Sequence, residues 1–200
     1  MLTAPRLVLA SASPARLKTL QNAGLSPEVV VSGVDESSVE VTAPADYTLK
    51  LAQLKAVAVA ASQKRAIDIG CDSVLALDGE ILGKPASEDE AVDRWKQMRG
   101  RAGVLHTGHC VIDTHREVWL ARSAATQVRF AHVSDDEIEA YVATGEPSAV
   151  AGAFTLDGLG GAFVSGVTGD PHNVVGISLP LLRLMFEELG FVWTEFWNSG

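Results

Sequence analysis

Two hundred residues that are 47% apolar suffice for one sizeable core, or for two lobes sharing a sheet, and the chain is read as one domain over 1–200. The balance of 16 basic against 25 acidic residues, net −9, argues against a nucleic-acid or anionic-membrane surface; a small anionic ligand would need a few concentrated cations and a divalent metal. No apolar run reaches the roughly 18 residues of a membrane span, the N-terminus, interrupted at Pro5 and Arg6, is not expected to be a signal peptide, and Cys71 and Cys110 read as buried free thiols of a reducing cytoplasm.

The first strand is predicted over 6–10. "LASASPAR" turns it into a helix over 14–23, with Ser13 as N-cap, Pro14 at the first helical position, Leu17, Leu20 and Ala23 as the apolar stripe, and Gly24 as the stop. Strand, tight polar turn and helix N-terminus make a place for an anion, although on this stretch alone an ordinary capped helix reads the same way. A second strand is expected over 28–32, then a polar excursion, "GVDESSVEVTAPAD", and a helix over 46–63 whose buried stripe is Tyr47, Leu51, Leu54 and Ala58. "IDIGCDSVLALDGEILG" predicts a strand, an Asp78–Gly79 hairpin turn and a return strand. Ser87 with Glu90, and Ser134 with Glu137, predict capping boxes for helices ending near 98 and 143. Between those helices "GVLHTGHCVIDT" and "EVWLARSAATQVRFAHV" are long strands joined near His115. After a glycine-rich stretch, 152–169, come a helix over 178–189 and a short strand over 191–196. Strands and helices mix without strict alternation, so the fold class is mixed α/β, a mixed twisted sheet flanked by helices.

Several residues break this apolar pattern. Lys55 falls at the edge of the buried stripe of its helix, away from Lys50 and Gln53. Its ammonium either snorkels to solvent or enters a cleft to meet an anion. Asp72 has apolar neighbours on both sides in "IGCDSVLAL", where an ionised carboxylate is costly unless it meets a cation, a metal or several donors. A carboxylate so placed is a candidate metal ligand or general base. Glu36 could be a second carboxylate, although by itself it reads as a solvated loop residue. Lys84, between Gly83 and Pro85, sits on a rigid turn whose default reading is surface; with Arg16 and Lys55 it would form the cation cluster a polyphosphate needs. His106 and His109 point to opposite faces of a strand, which argues against a metal pair. Neither a G-x-x-x-x-G-K-[ST] loop nor a G-x-S-x-G elbow is present, and "GLGGAFVSG" is too loose for a dinucleotide fingerprint.

Taken in order, "LASASPAR", "GVDE", "KLAQLKA", "CDSVLALDGEILGKP", "MRGRAGVLHTG", "YVATGEPSAVAGAFTLDGLGGAFV" and "GDPHNVVGISLPLL" make the chain resemble the Maf family, septum-formation-inhibitor-like proteins, nearly end to end. The resemblance implies a fold related to the inosine triphosphatases, two lobes with a cleft, and hydrolysis of a nucleoside triphosphate to the monophosphate and pyrophosphate with a divalent metal, magnesium or manganese. By motif, Asp72 would be the proton acceptor that activates water and a metal ligand, with Glu36 assisting the metal. Ser11, Ser13, Arg16, Lys55 and Lys84 would hold the phosphates. A homodimer in the cytoplasm is implied as well.

Base selection is marked by departures from one branch of that family. Where the dTTP- and UTP-directed branch has a second arginine, a threonine and a glutamine, this chain has Ala15, Ser73 and Asp157. The branch acting on 7-methyl-GTP also lacks that arginine and has a glutamate where Asp157 stands. A carboxylate accepts from the N1–H and N2–H₂ of a guanine, whereas a glutamine amide suits the mixed edge of a uracil or thymine. The expectation leans to 7-methyl-GTP or broad specificity. A nucleotide-binding regulator of septum formation with little turnover is the rival, and a phosphomonoesterase a third reading.

Overall fold

The computed structural model describes residues 5–197. In chain order its elements are β1 (Arg6–Leu9), α1 (Pro14–Asn22), β2 (Glu28–Val29), α2 (Pro44–Ala60), β3 (Ala66–Leu77), β4 (Glu80–Leu82), α3 (Glu88–Met98), β5 (Ala102–Asp113), β6 (Val118–Phe130), α4 (Asp135–Val142), β7 (Val164–Thr168), α5 (Pro171–Val175) and α6 (Leu179–Glu188). The strands form a mixed sheet in the order β2-β1-β3-β5-β6-β7, with β4 hydrogen-bonded to β3. β1 is parallel to β2 and β3, while β3–β4 and β6–β7 are antiparallel. This is the mixed sheet with flanking helices that the unalternating pattern predicts.

The chain divides into two compact units, whose boundaries fall inside β3 after Asp72, inside β5 after His106, inside β6 after Ala124, and after Val175. In the first unit β3 is buried on both faces, and its sequence is an apolar run broken by Asp68 and Asp72. One face carries Ile67, Ile69 and Cys71, which pack with Leu20 of α1 and with Leu182, Met185 and Phe186 of α6. The other face is covered by α2. A Cβ on Gly70 would stand 2.8 Å from Ala56, so only a glycine lets the helix approach this closely. In the second unit the core is built on Leu75, Leu105, Val128 and Phe130 beneath α3 and α4. Trp95 is its centre: fully buried, it donates from its indole nitrogen to the Ala153 carbonyl at 2.7 Å and meets Phe130, Tyr141 and Phe163 edge-on.

Local signals hold where their chemistry is local. Ser13 caps α1, Asp78 and Gly79 both take positive φ in the β3–β4 turn, and Ser134 and Glu137 form a reciprocal capping box. Five expectations are corrected. β2 is paired over two residues only, not 28–32. α2 starts at Pro44, whose fixed φ suits a first turn, and its buried face is Thr48, Leu51, Ala52, Lys55, Ala56 and Val59, so Ala58 is exposed and Lys55 lies within the buried face. Ser87 caps α3, but Glu90 accepts from the Ala86 N–H at 2.6 Å and not from its N-cap, so that box is not reciprocal. The glycine-rich stretch contains β7, followed by the short α5. Residues 191–196 are not a strand: Trp193–Phe196 is a 3₁₀ turn whose aromatic residues pack on Phe186.

Candidate active site

The first unit assembles its site at the C-terminal end of β1. Parallel pairing of Leu9 with Ile69, continued by the Ala10 N–H to the Ile69 carbonyl at 2.8 Å, brings the Ser11–Ser13 turn beside the Gly70–Asp72 segment. Ser11 Oγ accepts from Arg16 Nη1 at 3.0 Å and from the Ser13 N–H at 3.2 Å. Ser13 Oγ accepts from the Arg16 N–H at 3.4 Å. With their oxygens so engaged, both hydroxyls keep a proton to donate. Arg16 also donates from Nε to the Gly176 carbonyl at 2.8 Å, which fixes the guanidinium at the N-terminal end of α1.

Across the sheet face covered by α2, Lys55 Nζ lies 2.6 Å from Asp72 Oδ1 and 2.6 Å from Glu36 Oε1. The Lys55 and Asp72 side chains are only 10% and 11% exposed, whereas Glu36, in a 3₁₀ turn capped by Asp35, is 54% exposed. Burial pushes the Asp72 carboxyl above the usual carboxylate range; the Lys55 and Arg16 charges and the Lys55 hydrogen bond pull against it, and Glu36 adds to the rise. Burial likewise raises the Tyr47 phenol, with Asp72 and Glu36 adding to it, so Tyr47 belongs to the same electrostatic neighbourhood. Ala15 is half-buried in the first turn of α1, where its carbonyl accepts from Thr19 Oγ1 at 2.9 Å.

The remaining candidates lie in the second unit. Ser73 is half-buried on β3. Lys84 is exposed on a turn held from behind: the Gly83 carbonyl accepts from Arg94 Nη1 and, at 2.9 Å, from the Gly152 N–H. Asp157 is exposed on the loop 155–160. That loop closes on a carboxylate the sequence reading passed over, Glu146, which accepts from Tyr141, Thr155, Leu159 and Gly160. A glutamate in "TGEPS" carries no periodic signal, and only the folded loop reveals its partners.

Among the described residues no three His, Cys, Asp or Glu side chains converge as a metal group. His109 is spent on structure: Nε2 accepts from the Ser178 N–H at 2.8 Å, leaving Nδ1 as donor to the Thr107 carbonyl at 3.1 Å, the neutral tautomer. Cys71 and Cys110 are buried free thiols, and burial pushes each up to about 12. No helix among the described residues is long and apolar enough to cross a membrane.

The family profile described as Maf-like protein matches residues 6–189. A protein of Salinispora tropica named nucleoside triphosphate pyrophosphatase is 57% identical over 200 residues, covering 98% of this chain and 88% of its own. Proteins of the same name from Streptomyces coelicolor and Synechococcus elongatus are 58% and 52% identical, covering 96% and 99% of this chain and 94% and 100% of their own. The solved Ham1 protein of Staphylococcus aureus matches with a TM-score of 0.43 at 16% identity, over 64% of this chain and 72% of that one.

Proposed function

The chain belongs to the Maf-like protein family, and from that premise we propose that it is a hydrolase of nucleoside triphosphates, releasing the monophosphate and pyrophosphate. The observation that carries the reading is a nearly buried ammonium held 2.6 Å from each of two carboxylates, beside a capped helix N-terminus with its own arginine. Full-length relatives named nucleoside triphosphate pyrophosphatase support it. The whole chain, 1–200, acts as one catalytic domain.

Asp72 accepts the proton of the attacking water. Burial, the first cause of its raised pKa, makes it a better base than a solvated carboxylate. As the water oxygen bonds to the α-phosphorus, the bond to the bridging oxygen breaks and pyrophosphate leaves. Arg16, Lys55 and Lys84 neutralise the phosphate oxygens, and the Ser11 and Ser13 hydroxyls donate to them. Asp72 and Glu36 both reach the Lys55 ammonium, and such a pair of hard oxygen donors would hold magnesium or manganese shared with substrate phosphates. An ion bound there supplies positive charge to the reacting phosphates.

Asp157 reads the base, with Ala15 and Ser73 as the other specificity positions. A solvent-facing carboxylate accepts from the N–H groups of a guanine-type edge, so the preference runs to 7-methyl-GTP, or to broad use of triphosphates, over dTTP and UTP. With net charge −9, neither nucleic acid nor membrane is a partner. The enzyme works in the cytoplasm as the homodimer the family resemblance implies.

The test is product analysis with magnesium over 7-methyl-GTP, GTP, CTP, dTTP and UTP. Pyrophosphate is expected. Orthophosphate alone would overturn the reading in favour of a phosphomonoesterase, and tight binding without turnover would favour the nucleotide-binding regulator.

A further inference from the structure

Glu146 follows Gly145 in a 3₁₀ turn just after α4, and its carboxylate collects four donors. Oε1 accepts from Tyr141 Oη at 2.8 Å, from Thr155 Oγ1 at 2.5 Å and from the Gly160 N–H at 3.0 Å; Oε2 accepts from the Leu159 N–H at 3.0 Å. Two facts make this more than a cap. First, the donors Thr155, Leu159 and Gly160 stand at the two ends of one six-residue loop, with Asp157 exposed between them. A single carboxylate therefore closes the loop at both ends. Second, the carboxylate is itself fixed. Tyr141 is 3% exposed, wedged edge-on between Trp95 and Phe163 with ring centroids 5.4 Å from each, and its oxygen also accepts from the Thr155 N–H at 3.3 Å.

The glycines of the loop agree. A Cβ on Gly158 would stand 2.6 Å from Glu146 Oε2, and one on Gly160 would stand 2.8 Å from the Thr155 carbonyl oxygen, so only glycine lets the backbone wrap the carboxylate this tightly. Partial burial pushes the Glu146 carboxyl up, but the hydrogen bonds from Thr155, Gly160, Leu159 and Tyr141 outweigh it and hold the group near about 2, so the loop stays clamped throughout the neutral range.

We propose that Glu146 is the positioning residue for base selection: by clamping both ends of the loop 155–160 to the aromatic core, it holds the Asp157 carboxylate where it meets the base. This rests on the reading of Asp157 as the base reader. A loop left free would place that carboxylate over many orientations, and recognition by a single polar side chain degrades quickly as its geometry loosens. Glu146 itself meets no substrate, so its loss should fall on substrate choice and KM more than on the chemical step.

The experiment measures kcat and KM for 7-methyl-GTP, GTP, dTTP and UTP in wild type, Glu146→Gln, Asp157→Asn and the double variant. Gln keeps the shape of Glu but turns an NH₂ toward backbone N–H donors. Thr155→Val, which removes one donor to the same carboxylate, runs beside it and is judged by the same ratio, so a Glu146 variant that fails to fold does not end the test. The expected result is a loss of about tenfold in the kcat/KM ratio of best over worst base in Glu146→Gln. It should be carried by KM, with kcat for the best substrate changed less, and it should be absent in the Asp157→Asn background. Selectivity lost in Asp157→Asn but kept in both Glu146→Gln and Thr155→Val overturns the positioning role and leaves the base reader standing. Selectivity unchanged in Asp157→Asn overturns the base reader, and with it any role of Glu146 through that residue. Additive losses in the double variant also overturn it, because Glu146 would then act by another route.

Discussion

Each unit of this protein organises one carboxylate, and the two are treated in opposite ways. Asp72 lies nearly buried on a strand, faces the ammonium of Lys55 and carries a pKa raised first of all by burial. Glu146 lies half-exposed at a turn, faces hydroxyls and backbone N–H groups, and is held near about 2 by those hydrogen bonds. A buried carboxylate whose desolvation outweighs the pull of the cations beside it is left able to take a proton. One saturated by four neutral donors is chemically silent and serves as a clamp. Burial keeps the first group basic against its charge partners, whereas hydrogen-bond saturation turns the second into scaffold.

The sharpest way to break this contrast is Asp72→Asn, which keeps shape and removes the carboxylate proposed as proton acceptor. Pyrophosphate release should fall by about 10²–10⁴ while circular dichroism shows the fold retained; a variant with full turnover would move the base elsewhere. Lys55→Met tests the other half of the pair. It leaves the Asp72 charge buried beside an apolar chain, and urea unfolding should register a loss of about 3 kcal/mol at pH 7. No loss would mean that Asp72 is adequately solvated without its lysine.

Asp68 offers an internal control on the same face of β3. It is fully buried, neither oxygen has a hydrogen-bond partner among the described residues, and burial, against a weaker pull from Arg6, raises it to about 6. The folded-state pKa lies above the unfolded one. Below about pH 4 both states are protonated and there is no penalty; between about 4 and 6 the unfolded chain ionises first and stability falls; above that the penalty stays constant. In paired urea titrations, Asp68→Asn should therefore gain on wild type by about 2–3 kcal/mol between pH 4 and pH 7.5. A pH-independent difference would show that Asp68 has partners that leave it unshifted.

Smaller effects separate recognition from stability. Asp157→Gln should weaken discrimination in favour of a guanine-type base by about tenfold in kcat/KM, and unchanged selectivity would count against Asp157 as the reader. Ser178→Ala removes the cap of α6, whose hydroxyl accepts from the Leu181 N–H at 3.3 Å. It should cost about 1 kcal/mol in thermal unfolding and leave kcat alone, because the hydroxyl serves the helix backbone.

Much of the first unit was legible before folding, because its signals are local. A serine before a proline caps α1, apolar runs mark β1 and β3, and Asp72 and Lys55 stand out by being charged where neighbours are apolar. Lys55, at the edge of the stripe through Tyr47, Leu51, Leu54 and Ala58, lies within the buried face of α2, because that face runs through Thr48, Ala52, Ala56 and Val59 as well as Leu51. The second unit is less legible. Its loop 155–160 is shaped by Glu146 and Tyr141 from outside the loop, β7 pairs with β6 through residues 34 or more positions away, and neither contact leaves a period in the sequence. The aromatic run of Phe191, Trp193 and Phe196 imitates a strand, but Trp193–Phe196 is a 3₁₀ turn and all three rings pack on Phe186. Non-local packing decided each of these against local propensity.

The central chemical claim is that water, activated at Asp72, attacks the α-phosphorus. Its most direct test is to let the wild-type enzyme turn over in water labelled with heavy oxygen and to weigh both products. Label in the nucleoside monophosphate, with unlabelled pyrophosphate, is the expected result; label in the pyrophosphate would place the attack at the β-phosphorus and contradict it.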